Sequence, residues 1–218
     1  MLYIVSTPIG NIKDITFRAI EILREAELIL AEDTRKTGML LNRLGITGKS
    51  FLSYDEHNHS RRFPYILQIL KSGKNLALVS NAGTPGISDP GTRLVDEVLK
   101  QGFKVVPVPG PSALIAALSC SGFPANSFCF CGFVPKKEGQ KRKFIESLKS
   151  KQTVVLYESC HRIRKTLEVM AELIPERQVC VCREMTKMFE EVVRGLPTEI
   201  LKCLKCVKGE FVLIVYNS

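Results

Sequence analysis

The chain has 218 residues, 45% of them hydrophobic, enough for one large domain or two small ones with real cores. No apolar run approaches the ~18 residues of a membrane-spanning helix, and Met1-Leu2-Tyr3-Ile4-Val5 lacks the basic region and long apolar core of a secretory signal, so a cytoplasmic protein is expected. The formal net charge of +9 suits an anionic partner such as nucleic acid, although basicity by itself does not select one.

In chain order, short apolar runs near 2–5, 28–31, 51–54, 76–80 and 104–108 read as strands, separated by helical patterns over about 14–26, 35–44, 59–72 and 91–101. This βαβα order implies a mostly parallel sheet with helices on both faces. A helix near 111–121 follows. A second set then begins: a strand at 128–133, a helix over about 138–149, a strand at 153–157, a helix over about 160–173, and strands at 178–184 and 210–216. Ser121-Gly122-Phe123-Pro124-Ala125-Asn126 punctuates the two sets, and the expected organisation is two α/β domains, residues 1–115 and 116–218.

Three strand ends carry loops of small, rigid residues: Ser6-Thr7-Pro8-Ile9-Gly10-Asn11, Ser80 to Gly91, and Pro109-Gly110-Pro111-Ser112-Ala113. The second holds three glycines and two prolines in twelve residues, longer than a strand-to-helix turn requires. Such loops let a ligand approach the backbone at the carboxyl end of a strand. None is GxGxxG or GxxxxGK[ST], so neither a dinucleotide fingerprint nor a phosphate loop is present.

Glu32-Asp33-Thr34-Arg35 follows the strand-like run 28–31. It reads either as a pair of carboxylates and a cation at the ligand edge of a sheet or as a helix start capped by Asp33 or Thr34. Tyr54-Asp55-Glu56-His57-Asn58-His59 places two of the three histidines in one polar segment, expected to be a solvated loop rather than a metal site. Lys136, Lys137, Lys141, Arg142 and Lys143 form a basic cluster that reads as a solvated helix start or a phosphate-contacting patch. His161-Arg162 with Arg164 and Lys165 is a second basic candidate. Eight cysteines, Cys129/Cys131 and Cys180/Cys182 each sharing a strand face, read as reduced, mostly buried thiols; Cys203-Leu204-Lys205-Cys206 has metal-ligand spacing but no matching second pair, so no metal is expected.

Taken in order, seven segments resemble one family: Thr7-Pro8-Ile9-Gly10-Asn11; Ala31-Glu32-Asp33-Thr34-Arg35; Ala82 to Gly91; Pro109 to Ala113; Tyr157-Glu158-Ser159 with His161-Arg162; Arg183-Glu184 with Thr186-Lys187; and Gly209-Glu210-Phe211-Val212. They resemble the bacterial 16S ribosomal RNA (cytidine 2′-O)-methyltransferases of the tetrapyrrole-methylase superfamily, over nearly the whole chain. The resemblance implies two α/β domains with S-adenosylmethionine in a cleft between them, not the Rossmann methyltransferase fold. It implies cofactor contacts from Ile9, Gly10, Ala82, Gly83, Thr84, Ile87, Ser112, Ala113, Glu158 and Met185, transfer of a methyl group to a cytidine 2′-hydroxyl of the decoding region, and a homodimer. Glu32, Asp33 and Lys187 are then the candidates for handling the hydroxyl proton or positioning the ribose, with Arg35 and the 136–143 cluster on RNA phosphates.

Two positions depart from the family: Asn81 stands where an aspartate is typical, and Asp55 where a histidine is usual. Many members also run on into a C-terminal helical segment that helps grip RNA, which this sequence does not include. The other readings are a tetrapyrrole methyltransferase on the same fold and a non-catalytic ribosome-binding factor. The former, a macrocycle bearing carboxylates, would want a deep apolar cleft with a few cations; the latter would bind no cofactor.

Overall fold

The computed structural model describes residues 1–148, 152–204 and 207–216. The chain divides into two compact units, Met1–Ser112 and Ala113–Ser218.

The first unit alternates β1 (Leu2–Val5), α1 (Phe17–Glu25), β2 (Leu28–Ala31), α2 (Thr34–Arg43), β3 (Ser50–Ser53), α3 (His59–Lys71), β4 (Leu76–Val79), α4 (Thr92–Lys100) and β5 (Val105–Val108). Its five strands lie in the order β3-β2-β4-β1-β5, all parallel. Leu28–Ala31 and Leu76–Val79 are buried at every position because helices cover both faces of a parallel sheet. Alternate residues sort cleanly. Val5, Ile29, Ala31, Ala77 and Val79 pack with Ala19 and Leu23 of α1 and Leu41 of α2. Leu2, Leu28, Leu30, Leu76 and Leu78 pack with Ile66 and Leu70 of α3 and Leu94 and Val98 of α4 on the other face. Burying each such leucine stabilises the unit by roughly 1.5–3 kcal/mol.

This sorting fixes where chains leave the sheet. The helices that follow β1 and β2 lie on one face, and the helix that follows β4 lies on the other. β4 sits between β1 and β2, so its exit runs opposite to both neighbours. Open α/β sheets bind ligands at the carboxyl ends of strands where such a reversal occurs.

The second unit contains α5 (Ala113–Cys120), β6 (Phe128–Phe133), α6 (Glu138–Ser147), β7 (Thr153–Ser159), α7 (Ile163–Leu173), β8 (Gln178–Arg183), β9 (Glu191–Gly195), α8 (Pro197–Cys203) and β10 (Glu210–Tyr216). Its sheet, ordered β6-β7-β10-β8-β9, is mixed: only β6 and β7 are parallel. Helices α6, α7 and α8 cover one face through Ile145, Leu167 and Ile200, and α5 covers the other through Leu114, Ala117 and Leu118.

Three expectations are corrected. The β9–α8 segment is a strand and a helix that sequence reading passes over; β9 is a half-buried edge strand without a strong apolar run. The cysteines are not mostly buried: Cys180 and Cys182 are, but Cys129 and Cys131, on the edge strand β6, and Cys120 and Cys203, at the ends of α5 and α8, are exposed. Cys206 lies outside the described residues, among which no group of three or more metal-ligating side chains occurs. The His57–His59 segment is not simply a solvated loop, because His59 opens α3 and is fully buried.

Candidate active site

The three glycine- and proline-containing loops of the first unit converge at the carboxyl edge of its sheet. β1, β4 and β5 are hydrogen-bonded neighbours, so their loops emerge side by side. Thr7 and Gly83 exchange backbone hydrogen bonds of 2.9 Å in each direction. Thr7 Oγ1 donates to the Ser80 carbonyl (3.1 Å), and Ser80 Oγ donates to the Gly83 carbonyl (3.1 Å). Thr84 Oγ1 shares a 2.8 Å hydrogen bond with Ser6 Oγ and donates to the Pro111 carbonyl (3.1 Å). Each loop is thereby tied to its neighbours, with Ser80 adding a bond within the second loop.

Glycine is needed where these loops touch. Gly83 has φ +83°, and a Cβ there would lie 3.5 Å from Ile9 and 3.8 Å from the Pro111 carbonyl. Gly110 abuts Ser6, where a Cβ would come within 2.9 Å. The edge therefore brings together Ile9, Gly10, Ala82, Gly83, Thr84, Ile87 and Ser112, with Ile87 40% exposed at its rim.

Carboxylates stand beside these loops. Glu32 follows β2, and its Oε2 accepts from Asn81 Nδ2 at 2.7 Å. An aspartate at 81 would instead set two like charges together; the amide of Asn81 orients Glu32. Asp33 does what its alternative reading required: Oδ1 accepts from the Arg35 and Lys36 amides (3.0 and 3.3 Å) and caps α2. These bonds, the Lys36 amide foremost, hold its carboxyl below the usual range. Arg35 lies 3.5 Å from Asp33 Oδ1 with its side chain 90% exposed.

Asp89 is the residue that sequence reading missed. Burial, with the nearby Glu32 charge, raises its carboxyl to about 6. Among the described residues no group donates a hydrogen bond to it. Ser88, just before it, has φ +60°. Left-handed non-glycine residues are costly and cluster where function over-determines the backbone. Among the described residues there are three, Ser88, Glu184 and Thr186, and all lie in the motif segments. A non-glycine residue wedged between Gly86 and Gly91 was the one sequence signal for Asp89.

In the second unit, Ala113 and Met185 pack against the cluster beneath α5. Met185 is held between the left-handed Glu184 and Thr186 in a turn closed by Lys187 N→Glu184 O (3.0 Å). Gly209 lies so close to Glu184 that a Cβ would meet its Cγ at 2.5 Å, which joins the last two motifs. Lys187 Nζ donates to Glu184 and Glu210, both at 2.9 Å. Although burial opposes it, this double pairing raises the ammonium above its ordinary range. Lys187 is thus held as a cation. Glu158 is buried, and its carboxylate is fully engaged by Thr166 Oγ1 (2.6 Å), the Ser159 amide (2.7 Å) and Arg162 (2.6 Å). Any ligand contact from Glu158 must come from its backbone.

The basic cluster is divided by the fold. Lys136, Lys137 and Lys143 are exposed. Lys141 is buried, 3.6 Å from Glu138 Oε2, and Arg142 forms a two-pronged pair with Glu172. Burial on the α6 face withdraws Lys141 from any surface contact.

The Tetrapyrrole (Corrin/Porphyrin) Methylases match residues 1–201. The chain is 46% identical to the Ribosomal RNA small subunit methyltransferase I of Halalkalibacterium halodurans, over 100% of this chain and 76% of that protein. It is 45% identical to the protein of that name in Thermotoga maritima, over 98% of this chain and 97% of that protein. Among solved structures, uroporphyrin-III-C-methyltransferase from Thermus thermophilus superimposes with a TM-score of 0.68 at 20% identity, covering 99% of this chain and 94% of that one. The methyltransferase CobJ superimposes with a TM-score of 0.71 at 18% identity, covering 100% and 94%.

Proposed function

We propose, for a chain that belongs to the Tetrapyrrole (Corrin/Porphyrin) Methylases and within them to the ribosomal RNA small subunit methyltransferase I family, methylation of a cytidine ribose 2′-hydroxyl in the decoding region of 16S ribosomal RNA in the cytoplasm. The family depends on S-adenosylmethionine. The observation that carries the reading is the single sheet edge at which the Thr7, Gly83 and Pro111 loops hydrogen-bond to one another beside Glu32 and Asp89.

The residues present fit the cofactor. When bound, it supplies an electrophilic methyl group on a positively charged sulfonium. Ile9, Gly10, Ala82, Gly83, Thr84, Ile87 and Ser112 would hold it through close backbone approach, which the absence of a Cβ at Gly83 permits. Ala113, Met185 and the Glu158 backbone are the contributions assigned to the second unit. Glu32 and Asp89 supply negative charge suited to a cation and carboxylates able to accept the hydroxyl proton. Glu32, oriented by Asn81, is the better-placed acceptor of the original pair; Asp33 is spent on its helix cap. Lys187, kept charged by two glutamates, orients an anionic group and accepts no proton.

RNA phosphates are assigned to Arg35, Lys136, Lys137 and Lys143, with Arg142 after release from Glu172. Helix α2 adds Lys36 and Arg43, and it contains no acidic residue. A homodimer is part of the reading: Phe128, Phe133, Met188 and Phe189 of the second unit are exposed apolar side chains that a second copy would cover. Among the described residues no helix is long and apolar enough to cross a membrane.

Mass spectrometry of 16S rRNA from cells with and without the protein tests the reaction. The expected result is loss of one 2′-O-methylcytidine; unchanged rRNA refutes it.

A further inference from the structure

The segment Tyr54-Asp55-Glu56-His57-Asn58-His59 has no part in the chemistry above, yet Glu56 contacts the far end of the glycine-rich loop and His59 contacts the helix that follows it. Helix α4 begins immediately after that loop, and its N-cap is Gly91, which has no side chain with which to cap. Gly91 cannot be replaced by a capping residue: its φ is +140°, and a Cβ would lie 2.8 Å from Leu78 Cδ2. The amide of Gly91 itself is engaged from elsewhere in the chain. Glu56 Oε1 accepts from the Gly91 amide at 3.1 Å, 35 residues away in sequence.

Glu56 is aimed by its neighbours. Asp55 Oδ1 accepts from the His57 and Asn58 amides (2.9 and 2.8 Å), Asp55 Oδ2 accepts from Asn58 Nδ2 (2.8 Å), and the Asp55 amide donates to Asn58 Oδ1 (3.1 Å). This reciprocal lock between two short polar side chains fixes the turn at Glu56. It also gives a physical role to the aspartate that stands where the family usually has histidine.

A second attachment lies two turns along α4. His59 is fully buried; its Nδ1 is 2.7 Å from Tyr54 Oη, and its Nε2 is 3.0 Å from Glu97 Oε2, off the axis of an aligned hydrogen bond. Phe63 stacks on the imidazole at 5.4 Å. Glu97 is in turn held by Arg93 at 3.1 Å. The contact with His59, opposed by burial and reinforced by Arg93, keeps the Glu97 carboxyl below its usual range.

We infer that the Tyr54–His59 corner is a clamp that holds the start of α4, and with it the Ala82–Gly91 loop, in its ligand-ready shape, with Glu56 as the positioning residue. The loop needs such a clamp. Ser88, Gly86 and Gly91 all have positive φ, and an isolated segment of this composition would sample many other conformations. At its other end the loop is fixed by Thr7 and Ser6. Without Glu56 the residues before α4 would lose their direct tether, leaving that end to the packing of Leu94 and Val98 and the His59–Glu97 contact further along the helix.

The test uses hydrogen exchange of the full-length protein together with calorimetry of S-adenosylmethionine binding. Glu56→Ala is expected to speed exchange in residues 82–91 and to weaken cofactor binding about tenfold. In turnover it should raise KM for the cofactor while leaving kcat nearly unchanged. Glu56→Gln keeps an acceptor oxygen and should restore slow exchange and most of the affinity. Unchanged exchange in 82–91 for Glu56→Ala overturns the inference, as do equal losses in the two variants. The binding arm rests on the proposed function; the exchange arm does not. A wild type that binds no cofactor would therefore refute that function while leaving the clamp to be decided by exchange alone.

Discussion

Thr7 and Gly83 exchange two backbone hydrogen bonds of 2.9 Å in an antiparallel bridge just beyond the ends of the neighbouring strands β1 and β4, which ties the first motif loop to the second. The contact depends on Gly83 in a left-handed conformation, with Ile9 and the Pro111 carbonyl at van der Waals contact distance from where a Cβ would stand. Gly83→Val places a β-branched residue there at a backbone cost of roughly 1–2 kcal/mol and fills the approach to the loop. Calorimetry should show S-adenosylmethionine affinity reduced at least about tenfold, with the circular dichroism of the fold retained. Equal affinity in the two proteins would remove this edge as the cofactor site.

The two acids after β2 should separate. Glu32→Gln removes an acceptor oriented by Asn81, and single-turnover methylation at saturating cofactor should fall about 10²–10⁴-fold if Glu32 takes the proton. Asp33→Asn preserves the cap on α2, since asparagine caps as well as aspartate, and should leave the rate near wild type; Asp33→Ala should cost about 1 kcal/mol of stability. Matched wild-type rates for Glu32→Gln and Asp33→Asn would leave alignment as the source of catalysis.

Asp89 predicts a pH dependence. Its folded carboxyl titrates near 6, above its ordinary value of 3.8. A raised folded value means that its stabilising contribution is complete below the ordinary carboxylate range and is lost as pH rises through about 6. Asp89→Asn should therefore raise the melting temperature at pH 8 relative to wild type, with the difference vanishing by pH 4. Cofactor affinity in wild type should rise from pH 5 to 7, as ionised Asp89 becomes available to a cation, and this rise should be absent from the variant. A pH-independent difference in melting temperature would show that Asp89 is not the titrating group.

The basic residues should also divide. Neutralising Lys136, Lys137 and Lys143 together should flatten the salt dependence of RNA binding by roughly one unit of log–log slope per lost phosphate contact, with cofactor affinity unchanged. Lys141→Ala, by contrast, truncates a buried stem beside Glu138 and should lower the melting temperature without altering that slope. A salt slope unaffected by the triple substitution would make the cluster a solvated face.

Sedimentation at micromolar concentration tests the homodimer. A species twice the 24.4 kDa of one chain is expected, and Phe133→Glu with Phe189→Glu should dissociate it. Wild type sedimenting only as a monomer would refute the dimer.

The alternation of short apolar runs with helical patterns is sufficient to place nearly every strand and helix of the first unit, because strands covered on both faces are apolar throughout and helical burial follows residue spacing. The motif loops were equally legible, since glycine and proline act through local backbone geometry. Strand order was not. Nothing local indicates that β4 lies between β1 and β2, and that order is what brings Thr7 to Gly83 and Asn81 to Glu32. The mixed second sheet escaped for the same reason: pairing direction is set by which surfaces can be buried together, not by any one strand's pattern. Side-chain fate was the least readable. Lys141 and Lys143 are indistinguishable in sequence, yet one is buried and one exposed; Asp33 and Asp89 both precede a helix of the first unit, yet hydrogen bonding holds the carboxyl of one low and burial raises that of the other. Residue type and spacing determined which groups were available, whereas solvent exclusion and partners distant in sequence, which exist only in the folded chain, decided their charge and reach.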